Sequence, residues 1–130
     1  MSGFSTRAAA AMPDAMAPDG SEVRVLCGSA RGSMAAFTLP PGAVARAVVH
    51  RSVEELWYVV GGEGRIWRRL GAQEEIVELR AGVSVSIPVG TAFQFRCDGA
   101  AALVVLGVTM PPWPGEGEAD LVAGVWEANV

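Results

Sequence analysis

Gly42-Ala43-Val44-Ala45-Arg46-Ala47-Val48-Val49-His50-Arg51-Ser52-Val53-Glu54-Glu55-Leu56-Trp57-Tyr58-Val59-Val60-Gly61-Gly62-Glu63-Gly64 is the stretch on which the fold turns. It holds two short runs rich in β-branched and aromatic residues, 45–50 and 56–60, set between glycines, which is the pattern of strands separated by tight turns. Side chains alternate between the faces of a strand. Residues 46, 48 and 50 therefore share one face of the first run, and residues 55, 57 and 59 share one face of the second. If the two strands close a barrel, Arg46, Val48, His50, Glu55 and Trp57 are expected to line its interior.

The same punctuation extends outward. Candidate strands are 23–26, 34–39, 45–50, 56–60, 64–70, 75–79, 83–87, 93–97 and 101–109, broken at Gly28, Gly32, Pro40-Pro41-Gly42, Gly61-Gly62, Gly71, Gly82, Pro88, Gly90 and Asp98-Gly99. Their regular spacing predicts an all-β sandwich or barrel. In Phe93-Gln94-Phe95-Arg96-Cys97 the apolar face is Phe93, Phe95 and Cys97, so these are expected to point inward, with Gln94 and Arg96 outward. Pro111-Pro112-Trp113-Pro114-Gly115 cannot be a central strand. Residues 121–126 are expected to return as one more edge strand.

With 130 residues and 13.5 kDa the chain is one domain's worth, and with 51% apolar and 18% charged residues it is not a disordered chain. Its longest apolar stretch, 100–108, falls far short of a bilayer span. A net charge of −4 and a pI of about 4.9 argue against a nucleic-acid footprint. Cys27 and Cys97 make no disulfide framework, and two reduced thiols suggest the cytoplasm. Residues 1–20 are expected to form a flexible or strand-exchanging arm, and residues 21–130 a single barrel domain. A homodimer is expected from that arm and the apolar excess.

These residues resemble the cupin superfamily, the small antiparallel jelly-roll barrels. The first cupin motif, G-x5-H-x-H-x3,4-E-x6-G, finds Gly42, Val48, His50, Glu55 and Gly62 at its fixed positions. The second, G-x5-P-x-G-x2-H-x3-N, finds Gly82, Pro88, Gly90, Phe93 and Cys97. The resemblance covers residues 42–97 and, by strand pattern, extends to about Thr109. It implies a jelly-roll fold and leaves function open, because that fold hosts isomerases, dioxygenases, lyases, epimerases and non-enzymes.

The resemblance also implies where a divalent metal would sit: at Val48, His50, Glu55 and Phe93. Two of these four positions have lost their ligand, and His50 is the chain's single histidine. One imidazole and one carboxylate leave a first-row metal under-coordinated, so no metal or other cofactor is expected. Cys97, at the family's asparagine position, is a soft donor but sits a pleat pair away from Phe93.

The expected ligand pocket comprises Arg46, Val48, His50, Glu55, Trp57, Phe93 and Phe95. His50 and Glu55 read either as an acid/base pair or ligand handle, or as an idle hydrogen-bonded remnant. Arg46 could grip a carboxylate or phosphate, or form an ion pair at the barrel mouth. Trp57 is the candidate for stacking on a ligand, Trp113 for capping the pocket or covering an edge strand, and Trp126 for pinning the terminus. Arg65, Arg68 and Arg69 followed by Glu74, Glu75 and Glu78 are expected to face each other as surface ion pairs. Three functional readings follow. The first is a small-molecule binding module with a degenerate metal site and no partner in nucleic acid or membrane. The second is a metal-dependent enzyme of the sugar isomerase or dioxygenase type with an unusual ligand set. The third is metal-free acid/base catalysis by His50 and Glu55.

Overall fold

The computed structural model describes residues 3–130, and over these the chain is built of strands and connecting loops, with no helix long and apolar enough to cross a membrane. The strands are β1 (Ala15–Met16), β2 (Glu22–Gly28), β3 (Ser33–Leu39), β4 (Val48–His50), β5 (Glu54–Gly61), β6 (Glu63–Leu70), β7 (Gln73–Arg80), β8 (Ser84–Ile87), β9 (Ala92–Cys97), β10 (Leu103–Met110) and β11 (Ala119–Leu121). They form two antiparallel sheets, one ordered β1-β2-β3-β10-β5-β8 and the other β11-β4-β9-β6-β7. The strand spacing led to the expectation of an all-β sandwich or barrel, and the fold is all-β and is the jelly roll that the resemblance implies.

Alternation sorts each strand between the core and the outside. On β10 the buried positions are Leu103, Val105, Gly107 and Thr109, while Val104, Leu106 and Val108 are half-buried. On β5 they are Glu55, Trp57 and Val59. The core joins Trp57, Val59, Leu103 and Val105 to Leu39, Ile66, Leu79, Phe93 and Phe95 between the two sheets. The antiparallel register of β6 and β7 sets Arg65 opposite Glu78, Arg68 opposite Glu75 and Arg69 opposite Glu74, as expected. Of these only Arg68–Glu75 closes as an ion pair, at 2.7 Å. Arg65 turns instead to Asp98, and Glu74 accepts the Trp67 indole N–H at 2.8 Å.

Three segments differ from the sequence expectation. The strand anticipated at 45–50 begins only at Val48. Before it, Ala45 N–H donates to Phe95 and Arg46 N–H to Asp19, so the backbone is satisfied without regular pairing. The alternation that would aim Arg46 inward does not operate there. The last strand is 119–121, paired with β4, and not 121–126. The chain beyond it crosses the outer face of β9, where Val122 and Trp126 pack on Ala47, Trp67 and Ala92. Gln94, expected outward, does point away from the barrel interior, yet it is buried beneath that tail.

The arm also has a definite course. Arg24 donates to the carbonyls of Ala10 and Ala11, and Asp14 N–H donates to Val23, so residues 10–14 run beside β2 of their own chain. Ala15 and Met16 pair with Val23 and Glu22, and the turn at Gly20 carries the chain between them.

Candidate functional site

A cavity of about 380 Å³ opens at one end of the barrel. Its walls come from β2, β3, β4, β5, β9 and β10, and residues 15–19 and Trp113 close its rim. Val48, His50, Glu55, Trp57 and Phe93, all expected in the pocket, line it together.

The polar centre is local in origin. Glu55 and Trp57 are two residues apart on the inner face of β5, and the Trp57 indole N–H donates to Glu55 Oε1 at 2.9 Å. His50 Nδ1 stands 2.9 Å from Glu55 Oε2. The carboxylate lies off the ring N–H axis, so this close pair is not a directed hydrogen bond and Nδ1 has no aligned partner. Both groups are buried, His50 at 7% exposure and Glu55 at 3%. The turn that brings β4 back to β5 is held by Glu118, whose carboxylate accepts from the Ser52 N–H and hydroxyl and the Val53 N–H. Burial would raise the Glu118 carboxyl's pKa; these hydrogen bonds outweigh it and hold the carboxyl below its usual range.

Aromatic rings enclose this centre. Phe93 meets His50 edge-on at 5.3 Å between ring centres and Trp57 at 5.7 Å. Trp113 meets His50 at 5.1 Å from the solvent side, capping the pocket. Phe37 tilts against Trp57 at 5.9 Å. Gly107 lies on the floor, where a Cβ would run into Phe37 and Trp57, so glycine is what lets β10 pass under these rings.

Two expected pocket residues lie elsewhere. Arg46 is exposed, and its Nε donates to the Val130 carbonyl at 3.0 Å; the irregular backbone before β4 turns it to the surface. Phe95 faces inward but lies one pleat deeper than Phe93, packed on Trp57 at 4.8 Å within the core and outside the cavity lining. Cys97 is likewise in the core, with Sγ 3.2 Å from the Ala101 carbonyl.

Among the cavity residues that were not anticipated, Asp19 is the charged one. Asp19 is buried at the rim, its Oδ1 accepting both the Ser21 N–H at 2.9 Å and the Ser21 hydroxyl at 2.7 Å. Burial pushes its carboxyl above the usual range, the Ser21 hydrogen bonds oppose this, and the Glu55 charge adds to it. Pro18-Asp19-Gly20-Ser21 is a legible turn signature. What is not legible locally is that this turn folds over the barrel mouth.

The family's metal can be tested against these residues. Val48 and Phe93 are direct partners in the β4–β9 register, and both are apolar and buried where ligands would be needed. Among the described residues no group of three or more His, Cys, Asp or Glu could hold a metal ion. The donor set of His50 and Glu55 does not fit a first-row metal.

Comparison with known proteins agrees with the architecture. A crystal structure of an uncharacterized conserved protein with a double-stranded β-helix domain from Klebsiella pneumoniae has a TM-score of 0.66 at 18% identity, covering 84% of this chain and 91% of that one. A predicted oxalate decarboxylase from Thermotoga maritima has a TM-score of 0.59 at 22% identity, covering 70% and 80%. The capsular polysaccharide assembling protein CapF from Staphylococcus aureus has a TM-score of 0.63 at 22% identity; the match covers 80% of this chain but 32% of CapF. At these identities the likeness is one of fold. No curated protein matches the chain. The family model for the cupin domain matches residues 35–109, more than half of the sequence, and the chain belongs to the cupin family.

Proposed function

We propose that the chain binds a small, partly apolar molecule inside its barrel. The observation that carries this is the cavity of about 380 Å³, largely apolar in its lining and with a few convergent polar groups at its centre. Its size and chemistry are those of small-molecule sites. The test is a fragment screen by NMR that follows the Trp57 indole N–H, the Gly107 amide and the Val48 methyls. Fragments with an aromatic ring are expected to shift all three together. A screen in which no fragment moves the Trp57 resonance overturns the proposal. Trp113→Ala, which removes the cap, is expected to weaken binding of such fragments by about tenfold.

Metal-free acid/base catalysis is the second reading, favoured by the 2.9 Å separation of His50 and Glu55. His50→Gln separates the two: it abolishes turnover in an enzyme, whereas a binding module has no turnover to lose. The two free thiols suit a reducing compartment, and we read the protein as cytoplasmic.

We infer that the protein is a homodimer formed through the six-stranded sheet. The outer face of the other sheet is covered around Ala47, Trp67 and Ala92 by the chain's own tail. Among the described residues the six-stranded sheet has no such cover over β5, where it exposes Leu56, Tyr58 and Val60 at 50–56% beside half-buried Val104, Leu106 and Val108. The facing positions on β8, Ser84 and Ser86, are uncharged, which leaves Glu54 at the end of β5 as the charge on that strand's outer face. Light scattering is expected to give twice 13.5 kDa, and Tyr58→Arg to halve the mass. A monomer at micromolar concentration overturns the inference.

A further inference from the structure

The cavity's charge is one-sided. The chain carries ten basic residues besides its histidine, all arginine, and none of them lines the cavity. The carboxylates of Asp19 and Glu55 do, with His50 as the single basic group between the walls. Among the described residues Asp19 Oδ2 accepts no hydrogen bond, both Ser21 donors going to Oδ1. The surrounding walls are the faces and edges of Trp57, Phe93 and Trp113. Buried carboxylates with spare acceptor capacity want a cationic donor, and aromatic faces attract cations.

We propose that the ligand is an amine: a small molecule with a protonated nitrogen held between Asp19 and Glu55 and an apolar body lying against Trp57, Phe93 and Trp113. This rests on the small-molecule reading of the cavity and specifies its chemical class. Two further observations agree with it. Among the described residues Glu55 Oε2 likewise receives no directed hydrogen bond, its neighbour at 2.9 Å being His50 Nδ1 without an aligned N–H. Asp19 is also carried by the segment over the mouth, whose backbone is fixed by the Arg46 N–H to Asp19 carbonyl bond at 2.8 Å. The charge-selecting group thus stands where a ligand enters.

The test compares three probes of matched size by calorimetry near neutral pH: benzylamine as a cation, benzyl alcohol as a neutral body and benzoate as an anion. Benzylamine is expected to bind at least tenfold more tightly than benzyl alcohol, and benzoate more weakly than either. Asp19→Asn keeps Oδ1 as an acceptor for Ser21, so the turn persists, and it is expected to lower the amine-to-alcohol affinity ratio at least tenfold. Glu55→Gln keeps Oε1 as acceptor for Trp57 and is expected to act in the same direction, so the proposal does not hang on one variant folding. Equal binding of benzylamine and benzyl alcohol overturns the amine proposal and leaves the cavity a neutral-ligand site. Preference for benzoate overturns it as well. Binding of none of the three, with no shift of the Trp57 resonance, overturns both this proposal and the small-molecule reading beneath it.

Discussion

The double variant Val48→His/Phe93→His is expected to bind zinc, manganese or nickel stoichiometrically, with an affinity on the order of a thousandfold above that of the unchanged chain. The scaffold for a four-ligand site is in place. Val48 and Phe93 face each other in the β4–β9 register, His50 is two residues along on the same face of β4, and Glu55 lies across the cavity on β5. Only the side chains are wrong. Replacing the Phe93 ring also removes the edge-on contact that pins His50, which frees its imidazole to turn from Glu55 toward a shared ion. Two histidines then join an imidazole and a carboxylate that stand 2.9 Å apart, and three nitrogens with one oxygen complete a set that first-row metals accept. Calorimetry with each metal on both proteins is the measurement. Tight binding by the unchanged chain overturns the account of a degenerate site. No binding by the double variant shows that the four positions do not converge.

The fold was legible because two kinds of signal agreed. Glycines and prolines marked the corners, and period-two alternation marked the inner face; each is a local property of the chain. Val48, His50, Glu55, Trp57 and Phe93 were legible for the same reason, since each sits on a regular strand whose faces can be counted. Arg46 was misplaced because counting faces presumes a strand, and residues 43–47 are irregular. Phe95 was misplaced because alternation gives a face and not a depth: it points inward, but below the floor of the cavity. Asp19 and the capping Trp113 depend on loops whose courses are set by tertiary contacts. The turn at residues 18–21 could be read from its composition, but not the barrel end it covers. The fate of Gln94 was hidden likewise, because an outward-facing polar residue on a strand ordinarily meets water, and here it meets the C-terminal tail.

Gln94→Ala is expected to destabilise the fold by about 3 kcal/mol, a fall in Tm of about 10 °C. The amide is used to capacity. Its Nε2 donates to the Ala45 and Trp126 carbonyls at 2.9 Å each, and its Oε1 accepts the Val125 and Trp126 N–H groups at 3.0 Å each. Four bonds fill every donor and lone pair of the group, and alanine leaves four backbone partners unmatched under a closed tail. The tail is also held by the Val122 N–H to Ala47, by Asn129 against Val44 and Gly42, by Arg46 Nε donating to the Val130 carbonyl, and by Trp126, over whose ring the Arg65 and Arg96 guanidinium groups lie at 5.5 and 5.4 Å. Both arginines are tied to Asp98, whose carboxyl is held below its usual range by the Arg65 hydrogen bond and then by Arg96, against the effect of burial. Cation–π contacts of this exposed kind are worth about 1 kcal/mol or less, so they do not replace the lost amide bonds. Gly124→Ala is expected to act in the same direction, because its Cβ would collide with Gln94 Oε1 and lie 2.8 Å from the Ala47 Cβ. Since both substitutions break the same closure, the double variant should lose less than the sum of the two. Thermal melts of the three proteins measure this. Proteolysis within residues 122–130 should accelerate in each, while aromatic fragments should still shift the Trp57 resonance, because Gln94 points away from the cavity. A Tm within about 2 °C of the unchanged chain for Gln94→Ala would show that the tail is held by other means.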